Sequence, residues 1–246
     1  NTAEKGGGLF ANYPITLTNN VFISNTADSG GGLYLYNPGL SRLIANLVVS
    51  NTARTKDAGG IMLNGGGIRF DVDETVLINN VIADNLGGRR GSGLFVYDAS
   101  PHFIHNTIAR NGGGDGSGVY VSDPGMPGTQ STVKMTNTVI VSHTLGIVVT
   151  ERNTVTLNAT LWHANPGGNW QGTGTLTHTA DIHGDPLFAA DGYHLTAGSM
   201  ARDRGVNAGV TTDIDGESRP AGDGYDLGAD EAPLWRIHLP VILSDE

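Results

Sequence analysis

The stretch Gly30-Gly31-Gly32-Leu33-Tyr34-Leu35-Tyr36 joins a glycine turn to a short run in which leucine and tyrosine alternate. The same arrangement of glycine followed by a short apolar run returns at residues 8–11, 60–63, 93–96, 118–121 and 146–149. The glycines that precede these runs are 24, 28, 33, 25 and 28 residues apart. Repeats of this length indicate a solenoid or another array of stacked units.

A second apolar stretch follows most of the glycine-led runs and carries two asparagines separated by four residues. The runs are rich in β-branched residues and about four to six residues long, which favours strands over helices. Two or three strands in each repeat, joined by turns of glycine, asparagine and aspartate, predict a parallel β-helix. The fold class predicted from the repeats is therefore all-β, a single-stranded solenoid of about seven coils.

The paired asparagines are predicted to be structural. Asparagine tolerates the left-handed backbone region that a corner requires. Its side-chain amide can also bond the asparagine of the next coil, which produces a ladder like those in stacked β-structures. The predicted ladder residues are Asn20, Asn25, Asn46, Asn51, Asn80, Asn85, Asn106, Asn111 and Asn137.

Composition restricts the classes of partner. The chain has 37 glycines, 15% charged residues, no cysteine and a formal net charge of −10. A negative surface repels phosphate backbones, so nucleic acid and anionic membranes are not expected as partners. Without cysteine, disulfides and thiolate metal sites are excluded. No stretch approaches the ~18 consecutive apolar residues of a membrane-spanning helix, so no membrane-spanning segment is expected.

The domain organisation is predicted from changes in the repeat pattern and in residue composition along the chain. Residues 1–172 are assigned to β-helix repeats, 173–231 to further coils with an acidic, loop-rich capping module, and 232–246 to an apolar, strand-like tail. The chain begins in mid-repeat with Asn1-Thr2-Ala3, so we expect either a processed protein or a fragment of a longer one. The tail residues predicted to take part in assembly are Trp235, Ile237, Leu239, Val241 and Leu243.

Four motifs in the C-terminal part carry a resemblance to a known group. They read GDPLF at 184–188, DGYHL at 191–195, TDIDGESRP at 212–220 and GYDLGADE at 224–231. This segment resembles the bacterial right-handed parallel β-helix repeat proteins of the pectin-lyase-like superfamily, including the choice-of-anchor Q proteins. The resemblance implies a right-handed helix and a secreted or cell-surface location, and it implies no particular reaction.

Candidate catalytic groups are sparse. His102, His105, Arg110 and Lys134 form the best local cluster, but the aligned positions of neighbouring coils offer no carboxylate. We therefore expect these residues to be scattered polar groups on a β-surface. Three further histidines have no recognised ligand spacing: His163, His178 and His183.

The acidic C-terminal loops are the metal candidate. Calcium takes six to eight oxygen ligands from flexible loops, and no cofactor other than a structural calcium ion is expected. The same aspartates could instead form Asx turns and cap the loops. The candidate ligands are Asp213, Asp215, Asp223, Asp226 and Asp230.

One outward-facing column is predicted from the alternation within the glycine-led runs. With strands ~4.8 Å apart, six stacked side chains would form an apolar stripe ~25 Å long. Such a stripe could be a protein interface, could stack on sugar rings, or could pack as a ladder beneath a covering loop. The column consists of Phe10, Tyr34, Met62, Phe95, Tyr120 and Val148.

These observations favour a non-catalytic extracellular structural protein, the subunit of a surface layer, stalk or filament. The expected partner is a second copy of the chain, associated head to tail. A polysaccharide lyase or glycoside hydrolase is an alternative, and it would need at least two carboxylates in an outward groove. A third alternative is an adhesin or glycan-binding module that recognises cell-surface glycans through the aromatic stripe.

Overall fold

The structure, a computed structural model, describes residues 1–66 and 74–233. These residues contain 24 short strands and no helix. The strands in chain order are β1 (Thr2–Lys5), β2 (Leu9–Ala11), β3 (Thr16–Thr18), β4 (Val21–Ile23), β5 (Thr26–Ser29), β6 (Leu33–Tyr36), β7 (Arg42–Ile44), β8 (Leu47–Val49), β9 (Thr52–Ala53), β10 (Ile61–Asn64), β11 (Val76–Ile78), β12 (Val81–Ala83), β13 (Leu86–Gly87), β14 (Leu94–Tyr97), β15 (His102–Ile104), β16 (Thr107–Ala109), β17 (Gly112–Gly113), β18 (Ser117–Ser122), β19 (Thr132–Val141), β20 (Leu145–Val149), β21 (Thr154–His163), β22 (Trp170–Gln171), β23 (Thr175–Thr179) and β24 (Ile182–His183).

The strands form three parallel sheets, which confirms the predicted parallel β-helix. One sheet has the order β1-β5-β9-β13-β17, and a second has the order β2-β6-β10-β14-β18-β20-β22. The third follows the path β3-β7-β11-β15-β19-β16-β12-β8-β4, with β21, β23 and β24 beyond β19. This sheet covers two faces of the solenoid because the long strands β19 and β21 continue through a corner, at Asn137 and Ala159.

The core is a set of inward columns that contain one side chain from each coil. Leu33 lies in register with Leu9 on one side and with Ile61 on the other. On the other two faces, Leu43 and Val48 are the first fully buried residues of the equivalent columns. Since each buried leucine or valine contributes about 1.5–3 kcal/mol relative to exposure, the stack of apolar side chains is the main stabilising term.

The glycine turn has two roles in each coil. Gly30 has φ +63°, a left-handed conformation, and the equivalent position one coil later is Ala58 with φ 62°. The next glycine, Gly31, lies against the adjacent coil. A Cβ atom there would come within 2.5 Å of the carbonyl oxygen of Gly59 and of the carbonyl carbon of Thr52. Absence of a side chain is thus what allows the coils to approach at this corner.

We expect Gly31→Ala to lower the free energy of unfolding by about 1–3 kcal/mol, because its methyl group overpacks against backbone that cannot move aside. The measurement is chemical denaturation followed by circular dichroism. Gly112→Ala is the matched control, because a Cβ at Gly112 meets no atom within 4 Å. Equal stability of the two variants would contradict a packing role for Gly31.

Residues 184–233 form an irregular segment with only three isolated bridges, and they pack along the flank of the solenoid. Leu195, Ala201 and Leu227 contact outward-facing side chains of β12, β16 and β19. The predicted module thus packs on the late strands β19 and β21 and also on the earlier strands β12 and β16, and its bounds stay a prediction. The reason is that the outward side chains of these central strands are apolar, including Ala83 and Val139, and need cover.

Two predictions about domain organisation stay predictions. Strand pairing continues as far as His183, at the end of β24. This pairing does not test the predicted domain boundaries at residues 172 and 231. The predicted tail residues Trp235, Ile237, Leu239, Val241 and Leu243 lie outside the described residues.

Candidate functional site

Two rows of asparagines, buried except for Asn20, run along the solenoid and form the predicted ladder. In the first row, Asn20 donates from Nδ2 to Oδ1 of Asn46 at 3.1 Å, and this pattern continues through the next coils. In the second row, the Nδ2 of Asn85 donates to Oδ1 of Asn111 at 2.9 Å. Each acceptor oxygen also receives the backbone N–H of the preceding asparagine, for example that of Asn51. The two rows are Asn20, Asn46, Asn80 and Asn106, and Asn25, Asn51, Asn85 and Asn111.

Asn137 does not belong to the ladder, and its prediction is corrected. Thr107 pairs with Val139, so the coil position of Asn106 is taken by Thr138 and Asn137 lies one residue earlier. In the second row the next position is occupied by His143, whose Nε2 lies 3.2 Å from Nδ2 of Asn111. Burial lowers the pKa of His143 to about 4, which keeps the ring neutral and able to accept this bond.

The left-handed backbone also falls elsewhere than predicted. The ladder asparagines do not adopt it; the residue immediately before each of them does. These residues are Asn19, Ser24, Ala45, Ser50, Asn79, Asp84, His105 and Arg110. The ladder asparagine is thus selected by its hydrogen bonds, and the left-handed corner conformation is adopted by the preceding residue, whose type differs from coil to coil.

The outward aromatic column has the predicted register, but most of its centre is covered. Tyr34 pairs with Phe10 and Met62, and Phe95 pairs with Met62 and Tyr120. Only Phe10, at 48%, is among the exposed large apolar side chains, whereas Tyr34 and Met62 are each 5% exposed and Phe95 is 1% exposed. The central residues of the stripe ~25 Å long are therefore not open to solvent, which favours the packed ladder among the three alternatives.

Polar residues on the same face explain this burial. The guanidinium of Arg90 lies over the ring of Phe95, 5.0 Å from its centroid, and over Tyr120. Arg90 is held there by Asp57, which also binds Arg89. Burial by itself would raise the pKa of Asp57, but its bonds to the two arginines outweigh that effect and the pKa is lowered. The centre of the column is therefore a packed ladder.

The predicted cluster of basic residues separates into three places. His102 and Lys134 stay together on the outer face of the third sheet, and both face Glu74 at 3.6 and 3.3 Å. Arg110 instead pairs with Asp84 and donates to the carbonyl oxygen of Gly192. The carboxylate of Glu74 therefore contacts both His102 and Lys134, which the alignment of neighbouring coils did not predict.

His105 lies in a polar seam between the solenoid and the C-terminal segment. Its Nδ1 donates to the carbonyl oxygen of Asp226 at 3.1 Å, and its Nε2 accepts from Nδ2 of Asn137 at 2.9 Å. Asn137 also exchanges two hydrogen bonds with the backbone of Val206, and Asn79 donates to that of Thr212. Burial and the charge of Arg219 lower the pKa of His105 to about 3, so the ring stays neutral.

Two of the three histidines without a recognised spacing, His178 and His183, lie at the end of core columns. His178 pairs with Leu157, and His183 pairs with Trp162, so each extends a column that is apolar in earlier coils. His178 also lies 2.8 Å from Asp181, and His163 lies 3.8 Å from Asp185. Within the described residues, none of these three histidines belongs to a group of three potential metal ligands.

The aspartates predicted to bind calcium do not form one site. Asp213 accepts backbone N–H groups of Asp215, Glu217 and Glu231, and Asp226 accepts those of Asp203 and Ala232. Asp223 is exposed. Their oxygens close loops in the way that Asx turns do, which corrects the prediction of a five-aspartate calcium site.

A buried ion pair joins the same loops. Nη1 of Arg219 donates to Oε2 of Glu231 at 2.7 Å, and both side chains have no exposed surface. Arg219 further donates to the carbonyl oxygens of Asp226 and Gly228, while Glu231 accepts the N–H of Ala221. This network connects the TDIDGESRP and GYDLGADE motifs.

Two of the predicted metal ligands do converge, and they do so on a histidine that the sequence did not single out. Nε2 of His194 lies 2.7 Å from Oδ2 of Asp215 and 3.9 Å from Oδ1 of Asp230. Its Nδ1 lies 2.5 Å from Oδ2 of Asp191. Partial burial would lower the pKa of His194, but the bonds to Asp191 and Asp215 outweigh it and raise the pKa to about 9.

Residues 10–181 match the family model described as "Right handed beta helix region". The chain belongs to the right-handed β-helix family. This match includes both asparagine rows and the aromatic column, and it ends before the acidic C-terminal motifs. No curated protein and no solved structure matched the chain.

The first coil of this right-handed β-helix exposes part of its core. Leu9, Leu17 and Phe22 are only partly buried, whereas Leu33, with which Leu9 pairs, is fully buried. Strands β2, β3 and β4 have a neighbour on one side only among the described strands.

Within residues 1–66 and 74–233, no helix could span a membrane.

Proposed function

We propose that this β-helix is a non-catalytic extracellular structural protein whose copies associate head to tail. One observation carries the proposal: the core columns run through the whole solenoid and reach partly exposed residues at both ends. Leu9 and Phe22 occupy one end, and the same two columns end at Trp170 and His183. A second copy stacked in register would cover both surfaces at once.

The first coil also presents a polar atom without a donor. Nδ2 of Asn20 is engaged by Asn46, but no described residue donates to Oδ1 of Asn20. In the later coils the corresponding Oδ1 accepts two N–H groups from the asparagine of the preceding coil, as Oδ1 of Asn80 does from Asn46. Strand addition by another chain would extend the second and third sheets with the same parallel hydrogen bonding. Because the two contacting surfaces differ, the contact would not close and would generate a filament.

The alternatives have weaker support. Sugar stacking along the aromatic column is disfavoured because Tyr34, Met62 and Phe95 are covered. Polysaccharide cleavage has as its support, on the outer face of the third sheet, the contact of His102 and Lys134 with one carboxylate. Acid–base cleavage of a glycosidic bond commonly uses two carboxylates, so the structural role ranks first.

Light scattering over a concentration series tests the association. We expect the particle mass of the parent chain to rise with concentration, and Leu9→Lys and Trp170→Lys each to remain monomeric, because a charge at either end opposes stacking. Leu86→Lys is the matched control, since Leu86 is 52% exposed on the side of a middle coil. It should associate like the parent.

Mixing the two end variants tests the head-to-tail arrangement. Each variant keeps one intact end, so an equimolar mixture should form dimers and no larger species. A parent chain that stays monomeric at every concentration would disprove the association. Dimers formed by Trp170→Lys alone would instead indicate contact between two first coils.

A further inference from the structure

We propose that His194, Asp215 and Asp230 form a binding site for a divalent first-row transition-metal ion such as Zn²⁺. One potential ligand atom from each residue lies within 4.8 Å of the other two. The site is on the C-terminal segment, away from both ends of the solenoid columns, so it is independent of the proposed association.

The orientation of the imidazole supports a metal ligand. Oδ1 of Asp191 accepts the backbone N–H groups of Tyr193 and His194, and its Oδ2 accepts Nδ1–H of the same histidine. This turn fixes the ring and directs Nε2 toward the other two carboxylates. A carboxylate that holds one nitrogen while the second binds the ion is the usual outer-shell arrangement of metal-bound histidines.

Asp230 provides an independent indication. Its side chain is buried, with a residue exposure of 3%, and Oδ2 accepts the N–H of Leu195 at 2.6 Å. No described residue donates a hydrogen bond to Oδ1, which faces Nε2 of His194 at 3.9 Å. A carboxylate on a largely buried side chain is stabilised by a cation close to its free oxygen. Bound metal would supply the missing positive charge.

Charge balance points the same way. Asp191, Asp215 and Asp230 surround a single imidazole, so the cluster is net negative even when His194 is protonated. The guanidinium of Arg219 offsets this excess only in part, because its hydrogen bonds go to Glu231 and to two backbone carbonyls. A divalent ion replaces the Nε2 proton, which leaves to solvent, and contributes a larger positive charge than that proton did.

The distances fit a small ion with little movement. Tetrahedral zinc with bonds of about 2.0–2.1 Å holds its ligand atoms roughly 3.3 Å apart. The separations of 2.7 Å to Asp215 and 3.9 Å to Asp230 bracket that value. An imidazole ligand favours zinc and related ions, whereas calcium and magnesium prefer sites made of oxygen. This site therefore differs in residues and in ion from the predicted calcium site.

The ion would connect three separate loops of the C-terminal segment. His194 follows the turn of Asp191, Asp215 belongs to the loop closed by Asp213, and Asp230 precedes the buried Glu231. Because these loops converge only in the folded chain, an ion that binds them stabilises the folded state.

The test uses the full chain after treatment with a chelator and its removal. Titration with ZnCl₂ in a calorimeter should show one ion bound per chain, and the melting temperature should rise. Co²⁺ should give visible absorption bands of a low-coordinate site. Zn²⁺ binding to the parent chain at no more than the level of the His194→Gln variant would overturn the proposal, as would CaCl₂ raising the melting temperature as much as ZnCl₂.

Three variants locate the ligands. His194→Gln should abolish stoichiometric Zn²⁺ binding, and Asp191→Asn should weaken it roughly 10- to 100-fold. Asp215→Asn should also lose binding while the fold is retained, because that side chain is 45% exposed. His178→Gln is the matched control: His178 contacts Asp181 and belongs to no three-residue cluster within the described residues. Loss of binding in this control alone would contradict the assignment.

Discussion

Arg219→Met is expected to release the C-terminal segment from the flank of the β-helix. The substitution removes the only cation that contacts Glu231 in the described residues and leaves that carboxylate fully buried. It also leaves the carbonyl oxygens of Asp226 and Gly228 without their donor. Breaking a buried ion pair from one side costs about 3–5 kcal/mol, because the remaining charge is neither solvated nor paired.

Hydrogen exchange followed by mass spectrometry measures this release. Amides in residues 184–233 should lose protection, while those of the asparagine rows should keep it, since their hydrogen bonds lie within the solenoid. Arg204→Met is the matched control in the same segment, because Arg204 is exposed. It should exchange like the parent.

A second substitution separates loss of charge balance from loss of packing. Glu231→Gln in the Arg219→Met background removes the unpaired charge and keeps an oxygen for the N–H of Ala221. We expect it to restore part of the lost protection. If the double variant is as unprotected as the single one, the buried charge is not the cause.

Asn85→Ala is expected to lower the free energy of unfolding by about 3 kcal/mol, since several buried groups lose their partners together. Asn85 donates to the carbonyl oxygen of Val48 and to Oδ1 of Asn111, and it accepts both N–H groups that Asn51 directs toward it. None of these groups has access to water at its position in the middle of the row.

The same substitution at the end of the other row provides the comparison. Asn20 makes fewer contacts, is partly exposed, and no described residue donates to its Oδ1. Asn20→Ala should therefore cost about 1 kcal/mol or less. Urea denaturation of both variants at a concentration where the chain is monomeric measures the difference. Similar costs for the two would mean that the ladder is not what stabilises the stack.

Residue spacing was enough to predict the solenoid because every coil must bury its apolar side chains in the same way. A short strand must bury alternate side chains, and Leu33 can do so only against Leu9 and Ile61 in neighbouring coils. The asparagine rows follow for the same reason, since an amide that bonds its equivalent one coil away must recur at one place in every repeat. These features depend on nearest neighbours and are visible in the period.

The frame of the fifth repeat could not be read in this way. Val139, Ile140 and Val141 are all apolar, so the run fits the core in either of two frames. Choosing Asn137 as the ladder residue selects the wrong one. Only strand pairing, which places Ile140 beside Ile108, shows that His143 has taken the position of an asparagine.

The glycine-led unit therefore determined by itself the parallel β-helix, the register of its columns and the identity of most of the ladder. Tertiary structure decided what covers those columns: Arg90 and Asp57 enclose Phe95, and the C-terminal segment lies along the flank. It also brought His194 to Asp215 and Asp230. The physical reason is that these contacts join residues of different repeats or loops without a period, so no spacing in the chain encodes them.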